Sequence, residues 1–178
     1  MLKRIILLIL LTIPLTGCAS TGRVHDKQYL RCAVISGNET KTLTLSFFTD
    51  EDSVISVTAD DIDDALEQAE LKCGMTIFTG YTELVVLDDT DALDTLVYLL
   101  KEWKVSPSCL VTKGSAEVLK NNSAEVLAGS VKRSAAQGKS PESDLITALS
   151  ELLDKDCAEV ASITPSGASG TAKLKSSS

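Results

Sequence analysis

The chain has 178 residues, 44% of them hydrophobic, with 25 acidic against 17 basic side chains and a formal net charge of -8. That length supports one globular domain with a genuine apolar core. The acidic balance offers no basic patch to neutralise a phosphate backbone, which excludes nucleic acid as a partner class.

Met1-Leu2-Lys3-Arg4 leads into an apolar run over 5–15 and then into Leu15-Thr16-Gly17-Cys18. A short cationic segment, an apolar centre and small residues before a cut make a secretory signal. The run falls well short of the roughly 20 residues a transmembrane helix needs, and Pro14 interrupts it. With a cysteine directly after the cut, the stretch resembles the lipobox of bacterial lipoproteins. The resemblance implies that residues 1–17 are removed, that Cys18 carries a covalent diacylglycerol and an N-acyl lipid, and that the protein is held on the outer leaflet of a membrane. At about 0.8 kcal/mol per buried methylene, two or more acyl chains hold a protein firmly where one does not. Losing the signal removes Lys3 and Arg4 and no acid, which leaves 15 basic against 25 acidic side chains. Residues 18–27 form the lipidated tether, and its His25, the single histidine of the chain, reads as a solvated residue rather than a catalytic one.

Residues 28–163 are expected to fold as one α+β domain, a mixed sheet with helices packed on it. The stretch 29–36 predicts a strand, Gly37-Asn38 a turn, and 41–48 a second strand with Leu43, Leu45 and Phe47 on one face. Thr42, Thr44 and Ser46 alternate with them, so the hairpin is expected to be covered on one side only. Asp50-Glu51-Asp52 closes it, and 54–57 makes a short third strand. Thr58-Ala59-Asp60-Asp61 reads as a capping box, the threonine oxygen accepting a first-turn amide and the acids complementing the helix dipole. In the following helix Ile62, Ala65, Leu66 and Ala69 recur at the spacing of one buried face. Asp63, Asp64, Glu67 and Glu70 then face water as an exposed acidic face, not as a calcium loop with its glycine hinge. Gly74 supplies a left-handed cap.

Residues 76–87 predict one strand. Leu84-Val85-Val86-Leu87 is apolar throughout, as in a central strand covered on both faces, and Gly80 marks a bulge or a close backbone approach. Thr90 is the expected cap of a helix over 91–104 with Leu93, Leu96, Val97, Leu100 and Trp103 inward. Pro107 separates it from a strand over 109–112, after which Lys113-Gly114 turns into another helix. The pentapeptide Ser115-Ala116-Glu117-Val118-Leu119 recurs as Ser123-Ala124-Glu125-Val126-Leu127; both copies read as helix starts, with Asn121-Asn122 as the break. Ser140-Pro141 is expected to open a last helix carrying Leu145, Ile146, Leu149, Leu152 and Leu153 in one stripe. Residues 164–178, rich in Ser, Gly, Ala, Thr and Lys, read as a disordered tail.

With Cys18 assigned to lipid, Cys32, Cys73, Cys109 and Cys157 remain. Export permits disulfides among them, while three of the four fall in apolar segments where a cysteine acts as a small buried hydrophobe; both states stay open. None sits in a Cys-x-x-Cys pair and no histidine stands near, so no metal and no cofactor is expected. The chain has no Gly-x-Ser-x-Gly, no phosphate loop and no carboxylate pair that the pattern would bury together. The expectation is a non-enzymatic protein without catalytic residues, in which Cys18 alone has assigned chemistry and no residue points to a ligand site.

Several segments carry a further likeness: the lipobox; Arg23 with Asp26 and Lys27; the strand 29–36; Val54-Ile55-Ser56-Val57-Thr58-Ala59 leading into Ile62-Asp63-Asp64-Ala65-Leu66; Phe78-Thr79-Gly80-Tyr81-Thr82-Glu83-Leu84-Val85-Val86-Leu87; and Ser108-Cys109-Leu110-Val111-Thr112-Lys113-Gly114-Ser115-Ala116. Together they resemble the amino-terminal domain of the Ger(x)C family, the GerAC-like lipoproteins of endospore formers. The resemblance implies a C subunit of a nutrient germinant receptor on the outer leaflet of the spore inner membrane, acting in spore germination through contacts with integral membrane subunits A and B. It runs from the signal to about Pro165. Full-length members continue for about as many residues again, so a truncated, split or free-standing member is implied. This chain has Ala19-Ser20 where members commonly carry Trp-Asp, and Tyr81 where His is frequent. The alternative classes are an extracytoplasmic solute-binding lipoprotein, against which stand the single domain and the 4% aromatic content, and an envelope-interaction lipoprotein.

Overall fold

The computed structural model describes residues 27–49 and 53–176. The signal 1–17, the lipidation position Cys18, the tether up to residue 26 with His25, and the Asp50-Glu51-Asp52 turn lie outside the described residues. In chain order the elements are β1 (Lys27–Ser36), β2 (Lys41–Phe47), β3 (Val54–Ala59), α1 (Ile62–Cys73), β4 (Thr76–Phe78), β5 (Leu84–Asp88), α2 (Ala92–Lys101), β6 (Leu110–Lys113), α3 (Val118–Asn121), α4 (Ala124–Ala136), α5 (Leu145–Lys155), β7 (Cys157–Thr164) and β8 (Gly167–Lys175). They form the expected α+β domain, one mixed sheet with helices on both faces. Its order is β3-β2-β1-β5-β6-β7-β8, with β4 paired to the start of β1. The centre, β1, β5, β6 and β7, is parallel, and the flanks β2, β3 and β8 are antiparallel.

The alternation of side chains along the central strands divides the core in two. Val85 and Leu87 point to the face where α1, α2 and α5 deliver Ala65, Leu96 and Leu152. Leu84 and Val86 point to the other face, against Val118 of α3 and Leu127 of α4. The uninterrupted apolar run of β5 is thus what a strand covered on both faces requires.

Four expectations are corrected by the packing. The β1–β2 hairpin is covered on both sides: Thr44 and Ser46 are only 5% and 1% exposed. The strand over 76–87 is two strands, β4 and β5, and the segment between them is tied down by its threonines; Thr79 Oγ1 donates to the Trp103 carbonyl beyond α2 (3.0 Å) and Thr82 Oγ1 to the Thr79 carbonyl (2.6 Å). The helix caps are aspartates. Asp61 and Asp91 accept from the amides of Asp64 (2.8 Å) and Asp94 (2.9 Å), while Thr58 shares a hydrogen bond with Thr42, and Thr90 accepts from Lys41 Nζ. Likewise Asp144, not Ser140-Pro141, opens the last helix, accepting from Thr147 N at 2.7 Å; its buried stripe takes Ala148, and Ile146 and Leu153 are exposed.

The largest correction concerns the stretch from residue 164. It is not a disordered tail: β8 pairs antiparallel with β7 from Thr164–Gly167 to Cys157–Lys175 and buries Leu174. Small side chains suit this corner, where Gly114 at the end of β6 leaves no room beside Ile163.

Candidate functional site

The register of β1 on β2 shifts between Leu30 and Cys32. A bulge of this kind turns two successive side chains to one side, and here Arg31 joins Cys32 on the α4 face of the sheet. The guanidinium becomes a knot between four elements. Nε donates to Glu83 Oε2 at 2.9 Å just before β5, Nη1 donates to Glu125 Oε2 at 3.2 Å on α4, and the plane lies 4.8 Å from the Phe48 ring centroid after β2. Its side chain is 12% exposed. Burial works against the charge, yet the hydrogen bond and the charge of Glu83, with Glu125 behind them, outweigh it and raise the Arg31 pKa.

Next to this knot, at the start of β1, three aromatic rings meet. Tyr29 stacks on Tyr81 (5.8 Å between centroids) and tilts against Phe78 (5.6 Å), while Phe78 meets Tyr81 edge-on at 5.1 Å. Gly80 permits this: a Cβ there would stand 3.1 Å from the Phe78 ring. Lys27 Nζ lies 5.8 Å from the Phe78 centroid. Phe78 and Tyr81 remain 36% and 63% exposed, so this is an aromatic face presented to solvent beside the point where residues 18–26 join the domain. The sequence carried a signal for the neighbouring knot in Arg31, a cation set between Leu30 and the apolar run from Cys32 to Ile35.

At the opposite end of β1 a cleft of about 760 Å³ opens between the starts of α1 and α2, lined by Asn38, Lys41, Asp63, Asp94 and Tyr98 among others. Its groups are largely engaged in holding the helices. Asp61 and Asp91 are caps, the Tyr98 hydroxyl donates to Asp63, and Lys41 Nζ donates to the Gly37 carbonyl and to Thr90 Oγ1, both at 2.8 Å. Burial lowers the Lys41 pKa, and Asp91 and Asp94 pull it back up. Among the described residues no group of three or more His, Cys, Asp or Glu side chains is placed to hold a metal ion.

Of the sequence-derived site residues, Cys18 lies outside the described residues. The other four cysteines are all free thiols: Cys32 and Cys109 are buried, and Cys73 and Cys157 are half-buried. Desolvation pushes the Cys109 thiol up to about 12, helped by the charge of Glu83, and pushes that of Cys32 higher still. Thiolates are the nucleophiles, so iodoacetamide at pH 8 should modify Cys73 and Cys157 in the folded chain and reach Cys32 and Cys109 only after unfolding, as peptide mass mapping would read. The same burial carries a pH sign. Above the ordinary thiol value of 9.0 the unfolded chain loses these protons while the folded chain keeps them. Stability should therefore fall as pH rises from about 9 toward 12. No family model, curated protein or solved structure matches the chain.

Proposed function

We propose that the protein is a lipid-anchored, non-enzymatic subunit of a nutrient germinant receptor of the Ger(x)C type. It is held through Cys18 on the outer leaflet and acts through contacts with the integral membrane subunits. The observation that carries this reading is the aromatic face of Tyr29, Phe78 and Tyr81. Two of its rings, Phe78 and Tyr81, fall within the segment that resembles the family most specifically, and both are exposed to solvent. Rigid aromatics supply contact area at little entropic cost, and they are enriched where proteins dock. The tether sets the reach. Nine peptide units separate Cys18 from Lys27, and at roughly 3.5 Å each they keep this face within about 30 Å of the lipid.

The test is deletion of the gene in its host, with loss of spore optical density followed after addition of nutrients. The expected result is a slowed or absent response to at least one nutrient that returns with the intact gene. Unchanged germination with every nutrient rejects the reading.

A second reading, an extracytoplasmic solute-binding lipoprotein, is favoured by one observation, the cleft between the starts of α1 and α2. A thermal-shift screen with amino acids, sugars and nucleosides separates the two: a saturable rise in Tm with one of them, abolished by Tyr98→Ala, belongs to the second reading alone.

A further inference from the structure

β1 and β5 are neighbouring parallel strands, and from their carboxyl ends the chain leaves in opposite directions. β1 turns through residues 37–40 to β2 on one side, while β5 passes through α2 to β6 on the other. The cleft described above opens where these connections part, between Asn38 and the start of α2, with the start of α1 as its other wall. A crevice at such a divergence is where open α/β sheets bind ligands. Its volume of about 760 Å³ falls in the range of small-molecule sites, roughly 300–1,000 Å³.

The lining decides the charge of what can enter. Asp61 and Asp63 come from the start of α1, Asp91 and Asp94 from the start of α2, and Lys41 is the one cation among the lining residues. Lys41 Nζ is already bound to the Gly37 carbonyl and Thr90 Oγ1. An anion would meet this excess of carboxylates, and the helix amides it needs are held by Asp61 and Asp91 themselves, at 2.8 and 2.9 Å. A metal ion is not served either, because among the described residues no three ligating side chains converge to hold one. Carboxylates spread over two facing walls suit an extended organic cation instead. Caps and hydroxyl contacts take only part of what a carboxylate can accept. Asp63 accepts from the neutral Tyr98 hydroxyl, and the Asp94 carboxylate has no hydrogen-bond partner among the described residues, only the charge of Lys41 nearby.

Ile62 and the Tyr98 ring give the cleft apolar surface beside these acids. Behind Tyr98 stands Trp103, the single tryptophan of the chain, 4% exposed and with its indole N–H lacking a hydrogen-bond partner. Burial, the Asp63 carboxylate and the charge of Glu102 raise the Tyr98 pKa, while that N–H alone lowers it, which places the indole nitrogen beside the Tyr98 oxygen. An ammonium group on Asp63 competes with the Tyr98 hydroxyl for that carboxylate and leaves the Tyr98 oxygen to turn to Trp103. We propose that the cleft is a binding site for a small aliphatic diamine or polyamine, its ammonium groups on Asp63 and Asp94 and its methylenes against Ile62 and Tyr98. The site rests on the second reading only in placing a ligand in the cleft, is equally compatible with a receptor subunit, and holds or fails independently of the deletion test.

The test uses the full chain in non-ionic detergent and three compounds of equal chain length, hexamethylenediamine, hexanediol and adipate. Affinity is read by calorimetric titration, and the emission of Trp103 is followed alongside. The diamine should bind saturably and more weakly as salt rises, the diol and adipate at least roughly tenfold more weakly, and Trp103 emission should change with the same midpoint as the heat. Asp94→Asn changes an exposed side chain, so Tm should hold while affinity for the diamine falls at least roughly fivefold. Asp154→Asn on α5 removes the same charge outside the cleft and should leave that affinity unchanged. Absence of saturable binding, equal binding of the diol, unchanged Trp103 emission at saturation, or an affinity for Asp94→Asn no lower than for Asp154→Asn each overturns the assignment. So does magnesium chloride that matches the diamine in heat and emission at equal ionic strength, which would give the cleft to a metal ion.

Discussion

Replacing Gly114 by alanine should destabilise the domain by about 3 kcal/mol, at the upper end of what a small overpacking substitution costs. A Cβ at this position would stand 2.5 Å from the Ile163 carbonyl oxygen and 2.6 Å from Ile163 Cγ2. The carbonyl belongs to the backbone of β7, whose Ile163 is paired with Ala168 of β8, so it cannot turn aside as a flexible side chain would. Gly114 is held from the other side as well, because its amide donates to the Leu87 carbonyl of β5 at 3.2 Å. To admit one methyl group, β6 must move away from β7 or from β5 at the centre of the sheet. Gly129, exposed within α4, has no atom within 4 Å of its Cβ position, and its change to alanine should stabilise by roughly 0.5–1 kcal/mol through helix propensity alone. Urea unfolding of the two variants checks both signs. A Gly114→Ala chain as stable as the parent would mean that the close approach of β6 to β7 is not required. Out of the 5–15 kcal/mol that usually separates folded from unfolded domains, a loss near 3 is large enough to reduce the amount of folded protein at physiological temperature.

Gly114 also shows where the sequence was readable and where it was not. Local signals carried the first two thirds of the chain: the alternation of Leu43, Leu45 and Phe47, the helical spacing of Ile62, Ala65 and Ala69, the left-handed Gly74, and the unbroken Leu84-Val85-Val86-Leu87 all appear in the structure in those roles. The end of the chain was opaque for a physical reason. β7 and β8 are built largely from Ala, Ser, Gly and Thr, which bury little apolar area each and look like a linker. They form strands because β6 offers an edge and β7 then offers another, so their stability comes from partners distant in sequence. The cap positions were misread by one to four residues because Thr58, Thr90 and Ser140 are as good oxygen acceptors as the aspartates that took the role. The aromatic face was half visible. Phe78, Gly80 and Tyr81 stand together in sequence, but that Tyr29 completes the cluster depends on β4 lying parallel to the start of β1. That β3 ends the sheet could not be read at all, since an edge strand differs from an inner one only in what lies next to it.

Cys18→Ala should transfer the protein from the membrane fraction to the soluble one. The argument is one of magnitudes. Two acyl chains anchor a protein stably, one does so marginally, and removing every chain removes roughly 0.8 kcal/mol for each methylene buried. Nothing among the described residues replaces that loss: no helix there is long and apolar enough to cross a bilayer, and the aromatic face adds only three rings. The apolar run of the signal, interrupted by Pro14, is too short to span if it stays attached. Intact mass separates the possibilities before any fractionation, because the parent extracted from membranes should begin at Cys18 and carry the mass of its lipid, and an unmodified chain beginning at Met1 rejects the lipoprotein reading. Retention is then read in two washes. A Cys18→Ala chain that stays with the membrane in low salt but leaves it at high salt or alkaline pH is held by protein contacts, for which the Tyr29, Phe78 and Tyr81 face is the candidate surface. Substituting those rings by alanine in that unlipidated background then measures their share of the attachment, which the lipid otherwise hides.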